Sequence, residues 1–130
     1  MISSQQGLFA ESIFITQCIR RGLNVCQPVM DISGIDFIIE ADGKAIRVQV
    51  KSTRSVYTLK SGDEFVKVST KRSGKHMAYN NQFDILAVYL IAFDCWYIIK
   101  TTNPDLCLRI NPNSDKCKYY EFKEAWDLIS

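Results

Sequence analysis

The chain has 130 residues, a length that suits one hydrophobic core and so one domain spanning residues 1–130. With 47% hydrophobic and 23% charged residues, its composition excludes a disordered or fibrous protein. The longest apolar run, Ile85 to Phe93, is strand-sized, so no membrane span is expected, and the N-terminus lacks the basic-then-apolar pattern of a secretory signal. Five cysteines form no Cys-x-x-Cys pair, and the single histidine, His76, stands apart from all of them. That usage fits reduced thiols in an intracellular, cytoplasmic protein and argues against a zinc site or a disulfide frame.

The formal net charge of +2 hides a segregation. Between Lys44 and Lys75 stand nine basic residues (Lys44, Arg47, Lys51, Arg54, Lys60, Lys67, Lys71, Arg72 and Lys75) against Asp63 and Glu64 alone. The rest of the chain is net acidic. A positive segment of this kind is the electrostatic footprint of a polyanion binder.

Along the chain, Ser3 and Gln6 have capping-box spacing and Gly22 supplies a stop, which predicts an N-terminal helix. Leu8, Ile15, Cys18 and Ile19 recur at helical spacing as its apolar stripe, and Glu11 falls inside that stripe. A carboxylate facing a core needs a partner. Asn24 to Val29 reads as a short strand that Pro28 confines to an edge or a strand end. Asp42-Gly43 is a two-residue hairpin signal between two strand-like runs. With those residues as the loop, Ile35 faces Val50, Phe37 faces Val48 and Ile39 faces Ile46. One face is then wholly apolar. The other pairs Asp36 with Gln49 and Ile38 with Arg47, and places Lys51 beside Gln49.

Val56 to Leu59 and Phe65 to Val68 read as short strands around Ser61-Gly62-Asp63, followed by a basic loop. Ile85 to Ile91 reads as a buried central strand and Cys95 to Lys100 as its neighbour across a tight turn near Phe93-Asp94. A closing helix is expected to bury Phe122, Ala125, Trp126 and Ile129 on one face.

The hairpin's polar face gathers an acid, an amide and a lysine. Directly opposed strand residues have Cβ atoms roughly 4.5 to 5.5 Å apart. The Asp36 carboxylate and the Gln49 side-chain oxygen can therefore share one hard cation of the Mg²⁺ type. Lys51 is placed to hold a water or to neutralise a phosphoryl oxygen. Glu11 then has a reason to face inward, as an outer ligand or water holder. Glu40 lies on the same face but about 13 Å away along the strand, too far to join.

These residues resemble a known family. Gly7-Leu8-Phe9-Ala10-Glu11-Ser12, Gly34-Ile35-Asp36-Phe37 and Gln49-Val50-Lys51-Ser52-Thr53 together are similar to the PD-(D/E)XK nuclease superfamily. The branch with group I intron-encoded homing endonucleases is nearest in size and pattern. Gly34-Ile35 stands where that motif has its proline, and Gln49 stands where an acid is commoner. The resemblance implies an α/β fold with an αβββαβ-type mixed central sheet flanked by helices. By position it makes Asp36 the metal-binding acid, Lys51 the catalytic lysine and Glu11 the helix acid.

The function expected is a metal-dependent DNA endonuclease that uses Mg²⁺ or Mn²⁺, held by Asp36, Gln49 and the Val50 carbonyl. Arg54, Lys60, Lys71, Arg72, Lys75 and His76 are the candidate contacts to double-stranded DNA. Cutting both strands needs two sites, so a homo-oligomer, a dimer or tetramer, is expected. A site-specific homing role competes with junction resolution, with restriction, and with a non-catalytic DNA-binding module of the same fold.

Overall fold

The computed structural model describes residues 1–32, 34–71 and 79–129. Helix α1 (Ser3–Arg20) opens the chain, followed by β1 (Asn24–Cys26), β2 (Phe37–Ala41) and β3 (Lys44–Thr53). Then come β4 (Tyr57–Thr58), β5 (Glu64–Ser69), β6 (Ile85–Leu90), β7 (Cys95–Lys100) and β8 (Cys107–Ile110). Strands β1-β2-β3-β6-β7, in that order, make a five-stranded sheet that is antiparallel except where β3 and β6 run parallel. Strands β4-β5-β8 make a second, antiparallel sheet.

The hairpin forms with the expected register: Ala41 faces Lys44, Ile39 faces Ile46 and Phe37 faces Val48. Asp42 and Gly43 both take positive φ, 51° and 77°, as a two-residue loop of this kind requires. The apolar face of the large sheet (Phe37, Ile39, Val48, Val50, Ile85, Ala87, Ile98) packs on α1. On the opposite face Leu86, Val88, Tyr97 and Ile99 meet Val66, Val68, Leu108 and Ile110 of the second sheet. The expected mixed α/β sheet is therefore present. Among the described residues, a helix covers one face and a small sheet covers the other. The central strand β6 is buried along its whole length, as its unbroken apolar run requires.

Three expectations change. The helix cap lies one residue earlier: Gln5 Oε1 accepts the Ile2 N–H at 3.0 Å. The buried stripe of α1 is Ala10, Phe14 and Cys18, whereas Leu8 and Ile19 are about two-thirds exposed, at 66% and 65%. Phe14 decides this rotation, because its ring stacks on Phe37 at 5.3 Å and lies against Trp96 and Trp126 at 5.7 and 5.8 Å. Such an aromatic cluster buries more apolar area than Leu8 and Ile19 could.

The C-terminal segment forms two 3₁₀ turns (Tyr120–Phe122 and Trp126–Ile129) instead of a helix. The open edge of β7 explains this. Lys123 bridges to Tyr97, Glu124 takes φ 52°, and its N–H donates to the Trp96 carbonyl at 2.8 Å. The Glu124 carboxylate accepts the Trp96 N–H at 2.9 Å and the Trp126 indole N–H at 2.8 Å. Satisfying exposed strand-edge groups outweighs one more helical turn. Trp126 and Ile129 are buried all the same, and Ala125 and Phe122 partly so.

Candidate active site

Strand β3 departs from its partner β2 just beyond the Phe37–Val48 pair. The expected pairings of Asp36 with Gln49 and Ile35 with Val50 are not made. The Asp36 N–H donates to the Val48 carbonyl at 2.9 Å, and Ile35 instead bridges back to Ile32. The Asp36 carboxylate takes the place of a ladder acceptor: its Oδ2 accepts the Val50 N–H at 2.8 Å. One oxygen thus anchors the side chain to β3, and Oδ1 accepts no hydrogen bond among the described residues. Gly34, two residues earlier, makes this turn possible. Its φ is +83°, and a Cβ there would lie 2.7 Å from the Gln82 Cβ and 3.4 Å from the Tyr79 ring. Glycine alone fits both constraints.

Gln49 and Lys51 stand on the face of β3 opposite Val48 and Val50. Gln49 is buried, 8% exposed, and its Nε2 donates to the Val50 carbonyl at 3.3 Å. Its Oε1 accepts no hydrogen bond among the described residues. Lys51 is half-buried, with Nζ 5.4 Å from the centre of the Tyr79 ring, which meets Phe83 edge-on at 5.3 Å. Glu11 reaches the same region from α1, whose first turn is tied to β3 by the Gln6 amide donating to Ser52 Oγ at 3.2 Å and to its carbonyl at 3.3 Å. Glu11 and Asp36 line one cavity of about 140 Å³ together with Gln27, Pro28, Met30, Asp31 and Ile35. Larger recesses, about 370 Å³ by Asp63 and Asn113 and about 220 Å³ by Lys100 and Tyr119, lie away from these groups.

Burial pushes the Glu11 carboxyl above its ordinary range, and the nearby Asp36 adds to the push. Burial likewise raises Asp36, opposed by the Val50 N–H and Lys51 and reinforced by Asp31. The Lys51 ammonium is pushed down by burial, against the pull of Asp36. Two acids held up and a base held down bring all three toward the pH range where protons are exchanged.

The donors suit a hard cation. Among the described residues no three His, Cys, Asp or Glu side chains converge to metal-binding distance. An ion here would rest on the free Asp36 oxygen, the unengaged Gln49 Oε1 and the Val50 carbonyl, all oxygen donors of the kind Mg²⁺ takes. Oε1 makes no hydrogen bond among the described residues and is free to ligate a cation.

Sequence reasoning missed Asp31 and Tyr79. Asp31 sits in an irregular segment with no pattern to mark it, and Tyr79 approaches Lys51 only through the packing of the second sheet's side. Arg54, Lys60 and Lys71 are exposed. Arg72, Lys75 and His76 lie outside the described residues.

A helix acid, an acid beside the hairpin and a Gln-x-Lys on the next strand now stand in one place. The family model for PD-(D/E)XK endonucleases matches residues 1–129. The chain belongs to the PD-(D/E)XK endonuclease family. Its fold is similar to that of a bacterial homing endonuclease, I-Ssp6803I. That match has a TM-score of 0.76 at 21% identity and covers 98% of this chain and 91% of that one. No curated protein matches.

Proposed function

We propose that this chain is a divalent-metal-dependent DNA endonuclease of homing type, working as a homo-oligomer. The observation that carries the reading is the joint placement of Asp36, Gln49 and Lys51 with their unengaged oxygens and opposed charge shifts. A bound Mg²⁺ or Mn²⁺ would act as a Lewis acid on the phosphoryl oxygen and lower the pKa of a coordinated water. Asp36 Oδ1, Gln49 Oε1 and the Val50 carbonyl would hold it. Lys51 Nζ orients the attacking water and takes its proton as the oxygen–phosphorus bond forms and the bond to the leaving nucleotide breaks. Its depressed basicity suits that role. Glu11 accepts the water's second hydrogen bond. Arg54, Lys60 and Lys71, with Arg72, Lys75 and His76, would grip the backbone on either side.

The near-complete coverage of both chains in the structural match supports the homing role. Oligomerisation follows from the need for a second site to cut the second strand. Supercoiled plasmid carrying randomised inserts tests the reading. Cutting with Mg²⁺, none with EDTA, and enrichment of one long site are expected. Cutting of four-way junctions regardless of sequence would make it a resolvase, and binding without cutting would make it a non-catalytic module.

A further inference from the structure

The second sheet has an outward face that the site above does not use. Inward-pointing Val66, Val68, Leu108 and Ile110 are buried against the large sheet. By strand alternation the other face carries Tyr57 on β4, Phe65, Lys67 and Ser69 on β5, and Cys107 and Arg109 on β8. No carboxylate stands among them. Lys67 and Arg109 are directly opposed across the ladder, and like charges in that position repel. Neither side chain makes a hydrogen bond or ion pair among the described residues.

Aromatic rings hold both cations in place. The Arg109 guanidinium lies 3.9 Å from the centre of the Phe65 ring. Lys67 Nζ lies 5.0 Å from the Tyr57 ring and 5.8 Å from the Phe65 ring. Tyr57 and Phe65 stack on each other at 5.4 Å and 19°. Phe65 points outward yet is 8% exposed, because the cations and Tyr57 cover it. Cation–π contact fixes the side chains without spending the N–H donors on an acid. The result is two ordered positive groups, close together, with their hydrogen-bonding capacity open to solvent.

We infer that this outward face binds the DNA phosphate backbone, with Lys67 and Arg109 as paired phosphate contacts beside Tyr57. A phosphate between the two cations would turn their repulsion into attraction for one ligand and give a salt-dependent contribution to affinity. The inference rests on the nuclease reading and adds a contact surface to it. Arg109 lies outside the basic segment of the sequence, and strand pairing brings it to Lys67. Through Ser69 the face runs on toward exposed Lys71.

The test measures binding of a mixed-sequence DNA duplex across a salt series, without divalent ions, for the parent and for Lys67→Gln with Arg109→Gln. Glutamine keeps most of the hydrocarbon cover over Phe65. The pair should lower affinity and flatten the slope of log affinity against log salt by about 0.9 per lost phosphate contact. A Lys67→Arg, Arg109→Lys protein should restore the slope. Cys107, on the same face and exposed, gives an independent readout, with exposed Cys26 on β1 as the control. DNA should slow alkylation of Cys107 and leave Cys26 unaffected. A parent that cuts DNA, while the glutamine pair keeps the parental slope and Cys107 stays unprotected, would overturn this surface alone. Protection of Cys107 that grows with protein concentration without DNA would instead assign the face to a second copy. A parent that neither binds nor cuts duplex DNA would overturn the nuclease reading and this surface with it.

Discussion

Arg47 and Lys51 lie four residues apart on the same face of β3, and each stands near an aspartate from another segment, yet the two pairs are built in opposite ways. Arg47 and Asp84 are locked together. The guanidinium meets both carboxylate oxygens at 3.0 and 3.2 Å, and the Arg47 N–H adds a third contact at 2.9 Å. The Asp84 N–H returns a bond to the Arg47 carbonyl at 2.9 Å. These bonds hold Asp84 below the ordinary carboxylate range and Arg47 above its own. Lys51 and Asp36 form no such bond. Burial dominates both, so Asp36 rises and Lys51 falls. A bonded pair at the surface stabilises its charges and joins β3 to the start of β6. A half-buried pair without mutual hydrogen bonds is left with charges it can give up or share with a ligand.

The sharpest way to break this comparison is to delete the two cations separately. Lys51→Ala should lower the cleavage rate about a hundredfold or more with the denaturation midpoint nearly unchanged. Arg47→Ala should lower the midpoint while leaving the turnover of the folded protein within a few-fold. Equal losses of turnover in single-turnover assays would erase the distinction. Gly34→Ala comes next, because its Cβ must displace Gln82 and press on the ring beneath Lys51. A loss of roughly 1–3 kcal/mol in stability is expected from the strained φ and the overlap. Cleavage should fall further than the unfolded fraction explains, as urea titration and rate measurement on one sample would show.

The two aspartates should also have opposite pH signatures. Asp84, depressed when folded, contributes stability above the ordinary carboxylate range that is lost as pH falls through its lowered value. Asp84→Asn should therefore cost about 1–2 kcal/mol at neutral pH, in keeping with partly exposed hydrogen bonds, and little in strong acid. Asp36 is raised when folded, so its charged form opposes folding once the pH exceeds that raised value. Asp36→Asn should stabilise the protein at neutral pH, with a gain that fades as pH falls into the ordinary carboxylate range, while cleavage is lost. Denaturation midpoints across pH, crossing in opposite directions for the two variants, check this. The smallest effect concerns Gln49. Gln49→Glu adds charge beside the ion and should lower the Mg²⁺ concentration for half-maximal cleavage. Gln49→Leu should raise it, and metal titrations that superimpose on the parent would remove Gln49 from the site.

Much of the molecule could be read from the order of its residues. Asp42-Gly43 and the alternation on either side set the β2–β3 register, because a slip by one would turn every apolar side chain to the wrong face. That register put Gln49 and Lys51 on one face and Val48 and Val50 on the other. The run from Ile85 marked the central strand for the same reason: a strand covered on both faces has no polar side. These are local rules with periods of two, and a single chain carries them in full.

What the tertiary structure decided was everything set by a partner distant in sequence. The rotation of α1 follows from Phe14 meeting Phe37, Trp96 and Trp126, so Leu8 and Ile19 face outward despite their helical spacing. The C-terminal apolar residues satisfy the helix pattern, but the unpaired edge of β7 takes their backbone instead. Asp36 leaves the ladder to cap Val50, a step licensed by Gly34 having no side chain to strike Gln82. Arg109 joins Lys67 through pairing with β8, a strand too short to announce itself. Periodicity records which side chains avoid water, whereas their neighbours depend on which surfaces close over them. The acid, the amide and the lysine were legible as residues, and the opposed shifts of Asp36 and Lys51 come from burial that only the folded chain supplies.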